Sequence, residues 1–236
     1  MTPRFDYPLL SRSATVVVAE AAVAVVDERS LPHLIEPALP LVTDPIEEPM
    51  VLVAHPRIRV LGNYWHAGWT HARPDCWLRT DAMDRLVAAA QRLPERWGLA
   101  VYDAWRPLAL QAELYEAAYA DSSLPPGFIA PPVEDPQAPP PHLTGGAVDL
   151  TLTLDGTPLA LGTDFDGFTD EAAATALEDV PGVDRELRRR LYWAMQAQGF
   201  VALTFEWWHF EYGTPRWAGV TGQPPFYGPA TPPVPR

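Results

Sequence analysis

Apolar and polar positions alternate most cleanly between Ala147 and Leu154: Val148, Leu150, Leu152 and Leu154 fall on one side, Asp149, Thr151 and Thr153 on the other. A period of two marks a strand with one buried face, and the following Asp155-Gly156 suits a tight hairpin turn. The pattern predicts a half-buried strand that displays Asp149 on its polar face. A helical period governs Asp81 to Leu93, where Met83, Leu86, Val87, Ala90 and Leu93 line up and Thr80 stands at the N-cap position. A second helix is expected after Pro107, whose missing N–H costs nothing at a helix start, with Leu108, Gln111, Ala112, Tyr115 and Tyr119 inward. A third spans Asp184 to Gln198, with Leu187, Leu191 and Ala194 inward and Gly199 at its end.

Shorter apolar runs predict strands at Arg57 to Leu61 and Leu99 to Tyr102, and a closing pair at Phe200 to Phe205 and Trp208 to Tyr212. Thr15 to Val18 and Val23 to Val26 are further strand candidates. The 28 prolines gather between these elements: a connector from Pro37 to Pro49, a long loop from Asp121 to Pro141, and a tail from Pro224. The chain therefore divides into an N-terminal extension (1–50), a core domain (51–223) and a Pro-rich tail (224–236). The long loop ends directly before His142, where a lid or binding wall is expected. Interleaved helices, strands and hairpin signals indicate an α+β fold, an antiparallel central sheet with flanking helices. There is no internal repeat.

Composition narrows the function classes. A net charge of −13 argues against nucleic acid, which is bound through clustered Lys and Arg, and against an anionic membrane surface. No apolar run reaches the ~18 residues of a membrane span. The run from Ala14 to Val26 carries Glu20, meets Asp27-Glu28 and shows no cleavage site, so a cytoplasmic location is expected. Cys76 stands alone, which leaves neither an internal disulfide nor a cysteine metal cluster. Oligomeric state is not written in the sequence.

The chemistry lies in two stretches, His142-Leu143-Thr144-Gly145-Gly146-Ala147-Val148-Asp149 and Glu206-Trp207-Trp208-His209. They supply two imidazoles, an aspartate and a spare glutamate. A catalytic metal needs that inventory: three protein ligands, an open position for water and a carboxylate to take its proton. Singly each residue is ordinary. Together, an imidazole beside a carboxylate in an aromatic segment would be costly to bury without a partner, and a metal is such a partner. Residues three apart on a strand point to opposite faces, so Glu206 and His209 converge only if Glu206 sits in a turn or a bulge intervenes. His66 and His71 are rival ligands, although their spacing is not that of a helical pair and Gly68 breaks the segment. His33 and His55 receive no role. Zinc follows from ligand type; other divalent ions also accept two nitrogens and one oxygen.

His142-x-x-Gly145-x-Ala147-x-Asp149, followed by Glu206-x-Trp208-His209, resembles the D-alanyl-D-alanine dipeptidases of the vancomycin-resistance type. These are zinc peptidases related to the D,D-carboxypeptidases and the hedgehog fold. Tyr102-Asp103-Ala104-Trp105-Arg106-Pro107 is similar to the family's arginine-bearing segment, and Leu161-Gly162-Thr163-Asp164-Phe165-Asp166 to the segment after the second ligand. The likeness runs from Asn63 to Gly213, about two-thirds of the chain. It implies one zinc ion per chain held by His142, Asp149 and His209, with Glu206 as general base and Arg106 stabilising the transition state. It further implies that Asp166 holds the ammonium of a small peptide substrate such as D-Ala-D-Ala. The chain departs from the family where a serine usually stands two residues before the first ligand: here it is Pro140. Its proline-rich loop is longer, and residues 1–50 have no counterpart. Two other readings stay open: a related zinc carboxypeptidase or endopeptidase on cell-wall or other small peptides, and a non-catalytic zinc-stabilised binding module. Glu206 and Arg106 argue against the last, because a structural zinc site is normally closed by four protein ligands.

Overall fold

The computed structural model describes Phe5, residues 10–120 and residues 129–233. Parts of the expected N-terminal extension (1–4, 6–9), of the long loop (121–128) and of the tail (234–236) lie outside the described residues. The first half of the chain forms β1 (Arg12–Ser13), α1 (Ala14–Glu20), β2 (Met50–Leu52), β3 (Ile58–Val60), α2 (Asn63–Ala67), β4 (Trp77–Arg79), α3 (Thr80–Arg92), β5 (Trp97–Asp103) and α4 (Leu108–Tyr119). The second half forms β6 (Ala147–Leu154), β7 (Thr157–Ala160), α5 (Val183–Gln196), β8 (Val201–Ala202), β9 (His209–Glu211) and α6 (Pro215–Thr221). Among the described residues no helix is long and apolar enough to cross a membrane.

The alternating segment becomes β6, the hub of a seven-stranded sheet. Along one edge it pairs antiparallel with β5; along the other it meets β9 with its first residues and β7 with its last. The Asp155-Gly156 turn forms as expected, both residues at positive φ (49° and 78°), as a two-residue hairpin turn of this hand requires. Two expectations about the sheet need correction. The sheet is mixed, not purely antiparallel: β3 runs parallel to β5 and β1 parallel to β7. The chain returns from β3 to β5 through α2, β4 and α3, a crossover long enough to bring the next strand back in the same direction. Nor is β6 half-buried, for all eight of its residues are buried. With neighbours on both edges its polar face is also covered, and Thr151 satisfies its hydroxyl by donating to the Leu159 carbonyl at 2.6 Å.

Helices α3 and α5 pack on β5 and β6 and against each other. Thr80 is the first residue of α3 rather than its cap, and its hydroxyl donates to the Pro49 carbonyl. Beyond the far end, the Arg57 guanidinium gathers the carbonyls of Gln91, Leu93, Pro94 and Trp97, so no glycine cap is needed there. In α4 the inward residues are Leu110, Gln111, Leu114 and Ala118, a face rotated from the expected one. Apolar residues surround this helix, so spacing alone does not choose its buried side. Thr15 to Val18, expected as a strand, is helical in α1, whose Ala14, Val17 and Val18 are buried beside α5. The spacing of those three is helical, and their burial overrides the β preference of the valines. Val23 to Val26 forms no regular element.

Close packing beneath the first ligand segment has a measurable consequence. A Cβ on Gly146 would lie 2.3 Å from the Tyr212 carbonyl oxygen and 2.8 Å from the Tyr227 ring. Gly146→Ala should therefore cost about 1–3 kcal/mol through overpacking, a fall in melting temperature of several degrees in thermal unfolding. An unchanged melting temperature would contradict this packing.

Candidate metal centre

The sheet register builds the site. Asp103 on β5, Asp149 on β6 and His209 on β9 are Cα partners across adjacent strands, so the three share one row. An irregularity between Val101 and Asp103 shifts the β5 register just before that row, which is how a bulge re-aims a side chain. His142 reaches the row from a 3-10 turn, Pro141–Thr144, that ends at Gly145 with φ 72°, a conformation glycine adopts without penalty. The Thr144 hydroxyl donates to the Pro141 carbonyl and accepts from the Gly146 N–H. The turn thus carries His142 over Asp149 before β6 begins, which explains the seven-residue spacing.

Ligand atoms of His142, Asp149 and His209 all lie within 4.8 Å of one another, and each residue is buried. His142 Nδ1 is 2.7 Å from the Ala104 carbonyl oxygen. A carbonyl only accepts, which puts a proton on Nδ1 and turns Nε2 inward, 3.3 Å from Asp149 Oδ2. In His209 the roles reverse: Nε2 meets Glu211 Oε1 at 3.0 Å, while Nδ1 faces Asp149 Oδ1 at 2.9 Å. Each imidazole thus turns one nitrogen inward and anchors the other, the arrangement that fixes a metal-binding histidine's tautomer and orientation. Burial opposes the charged form of His209, but the Asp149 and Glu211 carboxylates outweigh it and carry its pKa up to about 10. Burial likewise opposes the Asp149 carboxylate, which His142 and His209 nonetheless hold below its usual range. Two nitrogens and one carboxylate oxygen, buried and convergent, fit a zinc ion with one position left open.

Glu206 lies in the turn before β9, which resolves the facing problem posed by its three-residue spacing from His209. Its Oε2 is 3.9 Å from His209 Nδ1, and burial, opposed by His209, raises its pKa to about 7. Arg106 is clamped on several sides. Its Nε donates to Asp103 Oδ2 at 2.8 Å, Nη1 to Gln111 Oε1 at 2.9 Å and Nη2 to the Tyr64 hydroxyl at 3.2 Å. Asp149 Oδ2 is 3.5 Å from Nη2. The Tyr64 hydroxyl donates in turn to Asp166 Oδ2 at 2.7 Å. Burial and the nearby Glu206 and Asp149 anions push Asp166 well above the usual carboxylate range. Below it Phe165 stacks on Tyr102 at 4.5 Å and meets Trp208 edge-on at 5.4 Å.

His142, Asp149, His209, Glu206, Arg106 and Asp166 therefore line one cavity of about 420 Å³. The rival histidines do not join them: His71 pairs with Glu113 at 3.1 Å on the surface, and among the described residues the one group able to hold a metal is His142, Asp149 and His209. The sequence reading passed over Glu211, Tyr64, Gln111 and Asp103. Glu211 was the most accessible of these, since it stands two residues after His209 on one strand and so shares its face. The contacts of Tyr64 and Gln111 depend on tertiary placement and left no local signal.

Residues 75–219, more than half of the chain, match the sequence profile of the family described as D-ala-D-ala dipeptidase. The chain is similar to the D-alanyl-D-alanine dipeptidase of Synechocystis, 29% identical over 217 residues, covering 78% of this chain and 84% of that protein. It is also similar to the D-alanyl-D-alanine dipeptidases of Escherichia coli (33% over 139 residues; 58% and 66%) and Enterococcus faecalis (30% over 126 residues; 49% and 62%).

Glu211 is buried, and Thr214 and Arg216 hold it against His209. Glu211→Ala should weaken zinc binding by about ten- to hundred-fold, read by competition against a chromogenic chelator while circular dichroism confirms the fold. Parental affinity in the variant would show that Glu211 does not orient His209.

Proposed function

The chain belongs to the D-ala-D-ala dipeptidase family of metallopeptidases, and from that premise we propose that it is a zinc-dependent dipeptidase hydrolysing a D,D-dipeptide such as D-Ala-D-Ala. The observation that carries the proposal is the convergence of the buried His142, Asp149 and His209 ligand atoms within 4.8 Å, with Glu206 and Arg106 on the same cavity. When bound, zinc supplies a Lewis acid that lowers the pKa of a coordinated water to roughly 7 and polarises a carbonyl. His142, Asp149 and His209 would hold it.

The chain's own residues do the rest. The Glu206 carboxylate accepts a proton from the attacking water and returns it to the leaving amine nitrogen as the peptide bond breaks. A carboxyl whose pKa burial sets near 7 suits both transfers. Arg106 donates to the carbonyl oxygen as it becomes negative. Its clamp of Asp103, Gln111 and Tyr64 means little reorganisation is needed, which is what makes such a donor effective. Asp166, with Tyr64 beside it, receives the substrate's ammonium. A cation there would relieve the repulsion among Asp166, Glu206 and Asp149 that raises the Asp166 pKa.

Glu206→Ala should retain zinc and lose about 10²–10⁴ in kcat; metal-loaded protein with parental turnover would remove Glu206 from the role of base. Arg106→Lys should lower kcat by about 10²–10³ with the fold intact, because lysine lacks the planar fork that answers the clamp. Chelation should abolish cleavage of D-Ala-D-Ala, and added zinc should restore it. Longer peptides cleaved as fast as the D,D-dipeptide would move the reading to a carboxypeptidase or endopeptidase. Tight zinc with no cleavage of any peptide would leave a binding module.

A further inference from the structure

The cavity holds a second, partly buried arginine that the reaction above does not use. Arg216, on α6, lines it with a side chain 14% exposed. Its Nε faces Glu211 Oε1 at 3.3 Å, behind His209. Its other edge takes a carboxylate in two-point fashion: Nη1 to Glu36 Oε1 at 3.1 Å and Nη2 to Glu36 Oε2 at 2.9 Å. That fork is the geometry in which guanidinium recognises a carboxylate. Here the carboxylate is the chain's own, brought from a distant N-terminal segment that also forms part of the cavity lining.

The segment is seated on both sides of Glu36 without help from Glu36 itself, and before it the Leu31 N–H donates to Glu178 Oε2 at 3.3 Å. The Ala38 carbonyl and Pro37 ring lie where a Cβ on Gly219 would be, at 2.4 and 2.8 Å. Val42 is buried and its N–H donates to the Gln137 carbonyl at 2.8 Å. The Glu36 side chain is 40% exposed and also accepts from the Thr204 hydroxyl. An exposed pair of this kind contributes little net stability, so another carboxylate can take its place while the segment stays where it is. Glu211, only 3% exposed and bonded to His209 and Thr214, remains and keeps Arg216 aimed.

The cavity therefore has two polar ends, each tied to a different member of the ligand triad. Asp166 is tied to the triad through Tyr64 and Arg106; Arg216 is tied to it through Glu211 and His209. Resting on the dipeptidase reading, we infer that Arg216 receives the substrate's C-terminal carboxylate and that Glu36 is the stand-in it displaces. A zwitterionic dipeptide with its ammonium at Asp166 then lays its peptide carbonyl at the triad and its carboxylate on the Arg216 fork. A free C-terminus becomes a requirement, read by Arg216.

Steady-state kinetics of the zinc-loaded full chain on D-Ala-D-Ala and on its C-terminal amide test this, with zinc content measured for each variant. The parent should show a KM about tenfold or more lower for the acid, the worth of a charge-assisted hydrogen bond. Arg216→Gln should bring the KM values of acid and amide together, since any effect passed on through Glu211 and His209 falls on both substrates alike. Glu36→Ala, which spares Arg216, should lower the acid's KM by about two- to fivefold, the worth of an exposed ion pair, again with no change for the amide. A parent that treats acid and amide alike overturns the inference while the dipeptidase reading stands. So does an Arg216→Gln variant that loses both substrates equally, or a Glu36→Ala variant with an unmoved acid KM. A zinc-loaded parent that cleaves neither substrate brings down the dipeptidase reading itself, and the carboxylate site with it.

Discussion

The row Asp103, Asp149 and His209 across β5, β6 and β9 is the constraint on which the rest of the structure depends. Because side chains alternate faces along a strand, slipping β6 by one residue would carry Asp149 to the opposite face of the sheet and break the triad. The register is held from both ends. At one end the Asp155-Gly156 turn fixes where β6 meets β7; at the other the Pro141–Thr144 turn and Gly145 fix where β6 begins. Leu150, Leu152 and Leu154, fully or almost fully buried, add an apolar penalty to any slip. Hydrophobic patterning, which carries no chemistry, thus sets the position of the Asp149 carboxylate.

The same row concentrates negative charge. Asp103, Asp149, Asp166, Glu206 and Glu211 gather around Arg106 and Arg216, so acids outnumber permanent cations. Burying such an excess is unfavourable unless something compensates, and the groups record the stress. Burial raises the pKa of Asp103, Asp166 and Glu206, while His209 is driven toward its charged form by the carboxylates beside it. A divalent cation at the triad and an ammonium at Asp166 would each supply missing positive charge.

Legibility in the sequence followed the range of the interactions. Alternation in β6, the turn after it and the helical period of α3 are local, and each was readable from neighbouring residues. The three-residue lead of Glu206 into β9 was also readable, as a problem in strand geometry with the turn as one of its two solutions. What escaped depends on contacts distant in sequence. Helix α1 is decided by burial beside α5, and the parallel placement of β3 by a crossover of two helices and a strand. Arg216 finds Glu36 from 180 residues away. In α4 local signals were plentiful but unhelpful, because an apolar residue at nearly every turn leaves the buried face to be chosen by what surrounds it.

Gln111 shows how the outer wall and the chemistry become one network. Its side-chain oxygen accepts from Arg106 Nη1 at 2.9 Å, and its nitrogen donates to the Ala130 carbonyl at 2.6 Å. Ala130 lines the cavity, as do Ile129 and Pro131 beside it. A change in that wall is therefore passed through two hydrogen bonds to the arginine proposed to face the developing oxyanion. On the far side Glu36 plays the matching part, touching Arg216, then Glu211, then His209. Both walls are set by segments without regular structure, yet each is wired to a group at the centre. The irregular walls are thus joined to the centre by side-chain hydrogen bonds, while the sheet register fixes the triad itself.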